Sequence, residues 1–279
     1  MTSDYSTARE VAPPGLTTWV EKLIAYIETL REAGVTDLEL DRETLHALGR
    51  PPLAAPAPPK RDGAAVSSTS PAPEGGEAAV RLADIAREIA ECGRCPLHRT
   101  RTKTVPGQGC PHPEILFVGE GPGQEEDRQG LAFVGRAGAL LTRMIQAMGL
   151  TRDDVFIANI VKCRPTVDGA GLRDRPPTPE EMAACLPYLR AQIAALRPRV
   201  IVTLGAVALE GLLGLKGITR QRGQWRAYEG IPLMPTYHPS YLLRGGGEDT
   251  ARYWEVWDDL VAVLDRLGRK PPADRRRRR

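Results

Sequence analysis

The sequence predicts an α/β protein, a three-layer α/β/α sandwich around a central, mostly parallel sheet of four strands. Four short apolar runs alternate with segments that have the 3.6-residue periodicity of amphipathic helices. Strands separated by helices pair in parallel through right-handed crossovers, which places helices on both faces of the sheet. The composition agrees, since glycine (28) and proline (25) are abundant whereas aromatic residues make up only 5%. A β-sandwich would use more aromatic strand residues.

The predicted elements follow one another in a regular order after residue 80. The strands are Ile115–Val118, Val155–Val161, Val200–Leu204 and Ile231–Tyr237. The helices are Ala137–Met148, a stripe from Met182 to Leu196, a segment ending at Leu213 and a stripe from Trp254 to Leu267. Ligands of such sheets bind beyond the carboxyl ends of the strands. The loops that follow Val118, Val161 and Tyr237 are therefore expected to carry the site.

The composition divides the chain into four parts. Residues 1–50 are expected to form a small helical accessory segment, because apolar and aromatic residues recur there at helical spacing. Residues 51–78 are rich in Pro, Ala, Ser and Gly without periodicity, which predicts a disordered linker. Residues 79–270 hold the α/β domain. Residues 271–279 form a disordered basic tail that ends in five arginines and adds non-specific affinity for phosphates.

The sequence predicts a cytoplasmic protein that does not enter a membrane. No apolar run approaches the roughly 20 residues of a membrane-spanning helix, and the N-terminus lacks the basic and apolar regions of a signal peptide. In a reducing compartment the five cysteines are expected to be metal ligands or free thiols rather than disulfides. The net charge of +3 permits a nucleic-acid partner without requiring one.

Four of the cysteines are candidate metal ligands. Cys92 and Cys95 form a C-x-x-C pair, whose spacing lets two thiolates reach one metal centre, and Cys163 and Cys185 lie far downstream. Four thiolates suffice for a tetrahedral zinc ion or a four-iron cluster. Spacing alone leaves two alternatives open: the downstream pair as buried apolar residues, or a C-x-x-C redox pair, which the preceding helix-like stretch disfavours. Cys110 has no partner at ligand spacing and is expected to be free.

A glycine-rich loop, Gly119–Gly123, directly follows the first strand. Its three glycines allow the backbone to approach a ligand closely. A phosphate-binding turn is the alternative, but the loop has neither the G-x-x-x-x-G-K-[ST] nor the G-x-G-x-x-G pattern. The acidic run Glu125–Asp127 would also repel phosphate. A nucleotide cofactor is therefore disfavoured.

The loops carry four motifs in order, GEGPGQEED, GLAFVGRAG, NIVKCRP and HPSYLLR, with the C-x-x-C pair upstream. With these motifs the chain resembles the family 4 uracil-DNA glycosylases, the iron–sulfur type, from about Glu91 to about Leu267. The resemblance implies the uracil-DNA glycosylase-like α/β/α fold. It also implies a [4Fe-4S] cluster, whose ligands would be Cys92, Cys95, Cys163 and Cys185.

The resemblance further implies a uracil-DNA glycosylase. Such an enzyme flips deoxyuridine out of DNA and hydrolyses its N-glycosidic bond, which leaves an abasic site and starts base-excision repair. The expected partner is uracil-containing DNA, single- or double-stranded, and the protein is expected to act as a monomer. A sister group traps uracil covalently through a histidine between the last two cysteine positions. Arg164–Ala184 contains no histidine, so turnover is expected.

Three residues of the motifs are expected to bind and release the base. Phe133 would stack on uracil, and Asn159 would accept from N3–H and donate to O4, a pattern that cytosine does not match. His238, as a neutral imidazole, would donate to O2 and stabilise the departing uracil anion. Taken singly, each has a structural alternative: a loop residue folded onto the core, an asparagine that bonds its own turn, and a histidine that supports a strand end.

The glycine-rich loop is expected to orient the attacking water and to lie near the sugar of deoxyuridine. Glu120 is preferred over Glu126 as the carboxylate that orients the attacking water. Gly121 stands where family 1 uracil-DNA glycosylases have an aspartate, and family 4 members share that difference. The resemblance therefore implies that the backbone of Gly121 approaches the uracil closely.

The last motif, HPSYLLR, is expected to contact DNA. Leu242 or Leu243 would fill the gap left by the flipped base, with Arg244 on a phosphate, although either leucine would equally suit a core position. The competing function is a non-catalytic iron–sulfur or zinc protein that binds DNA or senses damaged bases. Intact Asn159 and His238 argue against this alternative.

Overall fold

A mixed sheet of six strands forms the centre of the structure, a computed structural model that describes residues 76–167, 173–244 and 251–272. The strands lie in the order β1-β3-β2-β4-β6-β5. In chain order they are β1 Gln108–Gly109, β2 Ile115–Gly119, β3 Phe156–Asn159, β4 Val200–Leu204, β5 Arg226–Tyr228 and β6 Ile231–Thr236.

The predicted number of four strands is wrong, although the four predicted runs are all strands. They form the interior of the sheet as β2, β3, β4 and β6, and they pair in parallel. Strands β1 and β5 add antiparallel edges of two and three residues. Strands this short show no alternation in the sequence, because a period of two residues needs several repeats to be visible.

Eight α-helices connect the strands within the described residues. They are α1 Gly76–Ala90, α2 Gln124–Gln129, α3 Arg136–Ala147, α4 Pro179–Leu196, α5 Ala206–Leu213, α6 Ile218–Gln221, α7 Pro239–Arg244 and α8 Ala251–Arg266. A short 3₁₀ helix, Pro96–Arg99, follows the C-x-x-C pair. None of the helices in the described ranges has the length and apolar character needed to cross a membrane.

Helices cover both faces of the sheet, as alternate residues of β2 show. Ile115 and Phe117 belong to one apolar core together with residues of α3 and α8. Leu116 and Val118 belong to a second core together with residues of α1, α4 and α5. Because each strand residue points to the face opposite its neighbour, the sheet is enclosed on both sides. The predicted three-layer α/β/α sandwich is confirmed.

The predicted accessory segment, residues 1–50, lies outside the described residues, as do most of the predicted linker and of the predicted basic tail. Helix α1 begins at Gly76, inside the stretch that the composition assigned to the linker. Its residues Ile85 and Ile89 are buried in the second core. The helix is therefore part of the α/β domain.

The carboxyl ends of the parallel strands meet at one edge of the sheet. Gly119, the last residue of β2, is in register with Asn159, the last residue of β3. On the other side of β2, Leu204 of β4 is in register with Thr236 of β6. The loops that leave these strands consequently converge, and this convergence positions the candidate site.

Candidate active site

A cleft of about 640 Å³ opens at this edge of the sheet. It is lined by the loops that follow β2, β3, β4 and β6. Six of the predicted site residues line it together: Glu120, Gly121, Phe133, Asn159, His238 and Arg244. The two predicted leucines and the four predicted metal ligands do not line it.

Asn159 lies at the floor of the cleft, where β3 ends. Its side chain is almost fully buried, and within the described residues its Oδ1 has no hydrogen-bond partner. Gly119 makes room for it, because a Cβ on Gly119 would lie 2.4 Å from Asn159 Oδ1 and 2.5 Å from Phe133 Cζ. The sequence reading did not assign this role to Gly119. Gly119 is the first glycine of the GEGPG motif, and this position was the available indication of its role.

Phe133 reaches the cleft through a strained backbone conformation. Its φ of 53° lies in the left-handed region, which residues with a Cβ rarely adopt. Arg152 holds this turn, because its guanidinium donates to the carbonyl oxygens of Phe133 at 3.0 Å and of Ala132 at 2.6 Å. Beneath it, a Cβ on Gly138 would lie 1.9 Å from the Phe133 carbonyl oxygen, so only glycine fits there. The ring centroid of Phe133 lies 5.6 Å from that of His238.

Glu126 fastens the Phe133 turn to the glycine-rich loop. Its Oε1 accepts from the backbone N–H groups of Val134 at 2.9 Å and Gly135 at 2.8 Å. Its Oε2 accepts from the backbone N–H of Gly123 at 3.2 Å. Both carboxylate oxygens are therefore engaged in holding two loops together. Of the two carboxylates considered for orienting the attacking water, Glu126 is therefore the less available one.

His238 follows β6, and its protonation is fixed by its neighbours. The backbone N–H of Ser240 donates to Nδ1 at 3.1 Å, which requires Nδ1 to be an unprotonated acceptor. The Ser240 hydroxyl also lies 2.7 Å from Nδ1. Burial, and to a lesser degree the charge of Arg244, lowers the pKa of His238 to about 4. The imidazole is neutral near pH 7, and its proton resides on Nε2.

Glu120 and Gly121 form the lip of the cleft after β2. Burial raises the pKa of Glu120, the nearby charge of Arg244 opposes this effect, and Asp174 adds to it. A Cβ on Gly121 would lie 2.7 Å from Val161 Cγ2. Glycine is thus required at position 121 for packing against the loop after β3, in addition to its place in the cleft lining.

The two leucines predicted to contact DNA lie side by side in helix α7 but differ in exposure. Leu242 is fully buried in the first core, so its predicted contact with DNA does not fit the structure. Leu243 is 37% exposed and Arg244 is also exposed. A helix of six residues presents neighbouring residues to different sides, and only packing against the core decides which one points outward. Leu243 is the residue of the pair that can reach a ligand outside the protein.

One wall of the cleft comes from charged residues that sequence reasoning did not single out. Arg164 Nε donates to Asp174 Oδ1 at 2.6 Å. Arg175 forms two hydrogen bonds of 2.7 Å to the carboxylate of Glu181, and that carboxylate also accepts from the Thr178 backbone N–H. The Thr-x-x-Glu capping box at the start of α4 was the available signal.

The four predicted metal ligands line one common cavity away from the cleft, namely Cys92, Cys95, Cys163 and Cys185. The Arg101 guanidinium donates to Cys163 Sγ at 3.3 Å, and the backbone N–H of Lys162 donates to Cys185 Sγ at 3.2 Å. Burial raises the pKa of Cys185 to about 11 and also raises the pKa of Cys95 and of Cys163. These thiols need nearby positive charge to become thiolates, which bound metal supplies.

The four thiols line a shared cavity and supply the number of donors that a four-iron cluster takes, one thiolate for each iron. Cys110 does not line this cavity and follows β1, where its backbone N–H donates to the Val155 carbonyl.

Comparison with known proteins identifies the family. The family model for the uracil-DNA glycosylase superfamily matches residues 106–261, more than half of the chain. The type-4 uracil-DNA glycosylase of Thermotoga maritima is 47% identical over 173 residues, which cover 60% of this chain and 86% of that protein. That of Archaeoglobus fulgidus is 44% identical over 171 residues, 58% of this chain and 83% of that protein.

More distant relatives match as well. The type-5 uracil-DNA glycosylase of Pyrobaculum aerophilum is 30% identical over 217 residues, 66% of this chain and 90% of that protein. The type-4 relatives are more similar over a shorter stretch, and the motifs that line the cleft lie inside the matched region. This chain belongs to the uracil-DNA glycosylase superfamily and, within it, to the type-4 enzymes.

Proposed function

We propose that this chain binds deoxyuridine flipped out of DNA in the cleft and hydrolyses its N-glycosidic bond. The observation that carries the proposal is the buried carboxamide of Asn159, whose Oδ1 is without a partner in the described part of the chain. A buried acceptor left unpaired costs roughly 1–3 kcal/mol, so its partner is expected to come from the ligand. The N3–H of uracil supplies that donor.

Asn159 selects uracil over cytosine. With Oδ1 accepting from N3–H, its amide nitrogen donates to O4, whereas cytosine presents an acceptor and a donor in the reverse order. Phe133, which lies beside Asn159, supplies the apolar surface on which the base stacks. A mispaired base would leave buried polar groups unsatisfied, and this cost gives the discrimination.

His238 stabilises the leaving base. As the glycosidic bond breaks, negative charge develops on uracil, and the Nε2–H of the neutral imidazole donates to O2. Ser240 holds the ring in this tautomer before the substrate arrives. Because the buried imidazole is already oriented, the donor needs no reorganisation as the charge develops, and it acts more strongly there than in water.

Glu120 orients the attacking water at the lip of the cleft. It is the remaining carboxylate of the glycine-rich loop, since both oxygens of Glu126 accept backbone N–H groups. Its ionised form also offsets the positive charge that develops on the sugar. Leu243 occupies the gap in the base stack, and Arg244 neutralises a phosphate beside it.

The cysteines hold a [4Fe-4S] cluster that ties separate segments of the chain together. Cys92 and Cys95 precede the 3₁₀ helix, Cys163 follows β3, and Cys185 lies in α4. When bound, the cluster supplies the cationic irons that keep these thiols ionised. A reducing compartment such as the cytoplasm suits free thiols of this kind, and we propose that the protein acts there as a monomer on uracil-containing DNA.

The test is a single-turnover assay on oligonucleotides that differ only in one base. The iron-loaded protein is expected to convert the strand that carries uracil into one with an abasic site, revealed by alkaline cleavage, and to leave the cytosine-containing strand intact. Binding of both strands without cleavage would instead support a protein that only senses the base. A matched assay on single- and double-stranded uracil substrates defines the preferred DNA.

A further inference from the structure

Lys162 is a fully buried cation that the proposed mechanism does not use. It lies between the two functional regions in the chain, three residues after Asn159 and directly before Cys163. Its ammonium group donates to the backbone carbonyl oxygen of Asn159 at 2.8 Å and to Gln192 Oε1 at 2.7 Å. Both acceptors are uncharged.

The positive charge of Lys162 has no carboxylate beside it in the described residues. Removing an ammonium group from water is unfavourable unless an opposite charge compensates. Lys162 helps to line the cysteine cavity, and its backbone N–H donates to Cys185 Sγ at 3.2 Å. A cluster bound by four thiolates would have a net negative charge, so the cysteine cavity would supply the missing counter-charge.

The second acceptor of the lysine is itself fixed. Gln192 is buried in α4, and its amide nitrogen donates to the Pro106 carbonyl oxygen at 2.7 Å. The Lys162 ammonium group therefore links α4, through Gln192, to the backbone at the end of β3. The residue at that end is Asn159, whose carboxamide reads the base.

We propose that Lys162 is a positioning residue that couples the cysteine cavity to the base-binding cleft. The thiolate site balances its charge, and the ammonium group in turn fixes the backbone of Asn159, so that the carboxamide meets uracil at the correct angle. The inference rests on the proposed roles of Asn159 and of the cysteines. It assigns to the cluster an effect on base binding in addition to its effect on folding.

The test uses Lys162→Met in the iron-loaded, full-length protein and reads each region separately. Saturation-transfer NMR measures the affinity for free uracil, and the loss of visible absorbance in a chelator measures iron release. Lys162→Met removes the charged donor to the Asn159 carbonyl, so uracil binding is expected to weaken by about tenfold, within the free energy of that one hydrogen bond. Loss of the cation beside the thiolates predicts faster iron release. Uracil binding at the parent's affinity would overturn the proposal.

Arg101→Met is the matched control. Arg101 is a second cation against the cysteines, but its contacts are Cys163 Sγ and the carbonyl oxygens of Cys92 and Ala90, and none of them reaches Asn159. This variant is expected to release iron faster and to keep the parent's affinity for uracil. Equal loss of uracil affinity in both variants would show a general effect of the cluster and would refute a specific role for Lys162.

Gln192→Glu keeps the test decisive if Lys162→Met does not fold. The new carboxylate retains the shape of the side chain and attracts the ammonium group away from Asn159, so both readouts are expected to change in the same directions. Unchanged uracil affinity in this variant would overturn the proposal. If the parent protein itself does not excise uracil, the proposed function fails, whereas excision by the parent together with unaltered variants refutes the coupling alone.

Discussion

The base-binding cleft and the cysteine cavity are held in shape by different means. In the cleft, the chain's own hydrogen bonds fix the side chains: Arg152 holds Phe133, Glu126 holds the adjoining loop, and Ser240 holds His238. In the cavity, four thiols come together from separate segments, and burial raises the pKa of three of them.

This difference shows which region depends on an added group. Among the described residues that line the cleft, one buried side-chain acceptor, Asn159 Oδ1, has no hydrogen-bond partner. The cavity gathers four thiols that would repel one another once ionised, so a bound cationic group would be needed to keep them together as thiolates. Substitutions in the cavity should therefore act on folding, and substitutions in the cleft should act on chemistry.

The largest effect is expected from removing a cysteine ligand. Cys163→Ser or Cys185→Ser should open the cluster, and because metal binding is coupled to folding, several kcal/mol of stability should be lost. For a domain of this size we expect Tm to fall by about 10 °C or more, together with the iron content. Calorimetry and iron analysis measure both.

Cys110→Ser is the control for the same chemical change outside the cavity. It should retain the parent's Tm and iron content, since Cys110 is not part of the cavity lining. A Cys185→Ser protein with full iron and an unchanged Tm would remove the distinction between the two regions.

The next effect is expected from Asn159→Ala. Removing the carboxamide should lower single-turnover excision of uracil by about 10²-fold, because two hydrogen bonds to the base are lost at roughly 1–3 kcal/mol each. Affinity for DNA should stay close to the parent's, since phosphate contacts supply most of it. Asn159→Asp should also lose uracil excision and gain a trace of cytosine excision, because a carboxyl group can accept from N4–H₂.

Thr203→Val is a matched control for Asn159. Thr203 Oγ1 is also a buried polar atom that has no partner in the described ranges, but it does not line the cleft. This variant should excise uracil at the parent's rate. If Asn159→Ala were equally active, Asn159 would not be the residue that reads the base.

A smaller effect is expected from Glu126→Gln. A carboxamide has one acceptor oxygen and cannot serve Gly123, Val134 and Gly135 as the carboxylate does, so the Phe133 turn should loosen. We expect single-turnover excision to fall by about tenfold, which corresponds to the loss of roughly one hydrogen bond's free energy. Near-parent Tm is expected, because the turn lies at the surface of the cleft.

Glu125→Gln provides the comparison one residue away. The Glu125 carboxylate accepts from Arg128 and Gln129 on the exposed side of α2, and these bonds involve neither loop. Its substitution should leave excision unaltered. Equal losses in both variants would mean that the overall charge of α2, rather than the Glu126 bonds, supports the site.

Continuous apolar runs predicted the four interior strands, and the motifs that follow them predicted the position of the site. Strands β2, β3, β4 and β6 are covered on both faces and therefore read as unbroken apolar segments. Their register brings Asn159 and His238 to the same edge, which is why two distant motifs could be assigned to one site.

The rest depended on interactions that no local pattern shows. The left-handed turn at Phe133 is held by Arg152 from a segment 19 residues away. The choice between Leu242 and Leu243 depended on how helix α7 packs against the core. In both cases tertiary contacts, rather than the residue's own preference, determine the outcome.

The smallest change in the parent protein is expected from varying the pH, and it tests whether the cleft is organised before substrate binds. Burial lowers the pKa of His238 from its usual 6.5 to about 4, so the imidazole stays neutral at every pH above about 5. Excision should therefore show no inflection near pH 6.5 that depends on His238. The free energy of unfolding depends on pH in the opposite direction from that of a protein whose histidine gains an acidic partner on folding. The contribution of His238 is full above pH 6.5 and is lost as pH falls towards 4, because the unfolded chain binds the proton more readily.

The variant His238→Gln tests the effect of His238 on excision and its effect on the pH dependence of stability separately. The variant should lose excision by about 10²–10³-fold, the usual cost of removing a donor from a developing anion. Its Tm should fall less steeply than the parent's between pH 6.5 and pH 4, since it lacks the group that takes up the proton. The measurements are single-turnover rates and calorimetric Tm across this range. A rate inflection near pH 6.5 in the parent that disappears in the variant would mean that burial does not keep the His238 imidazole neutral at that pH.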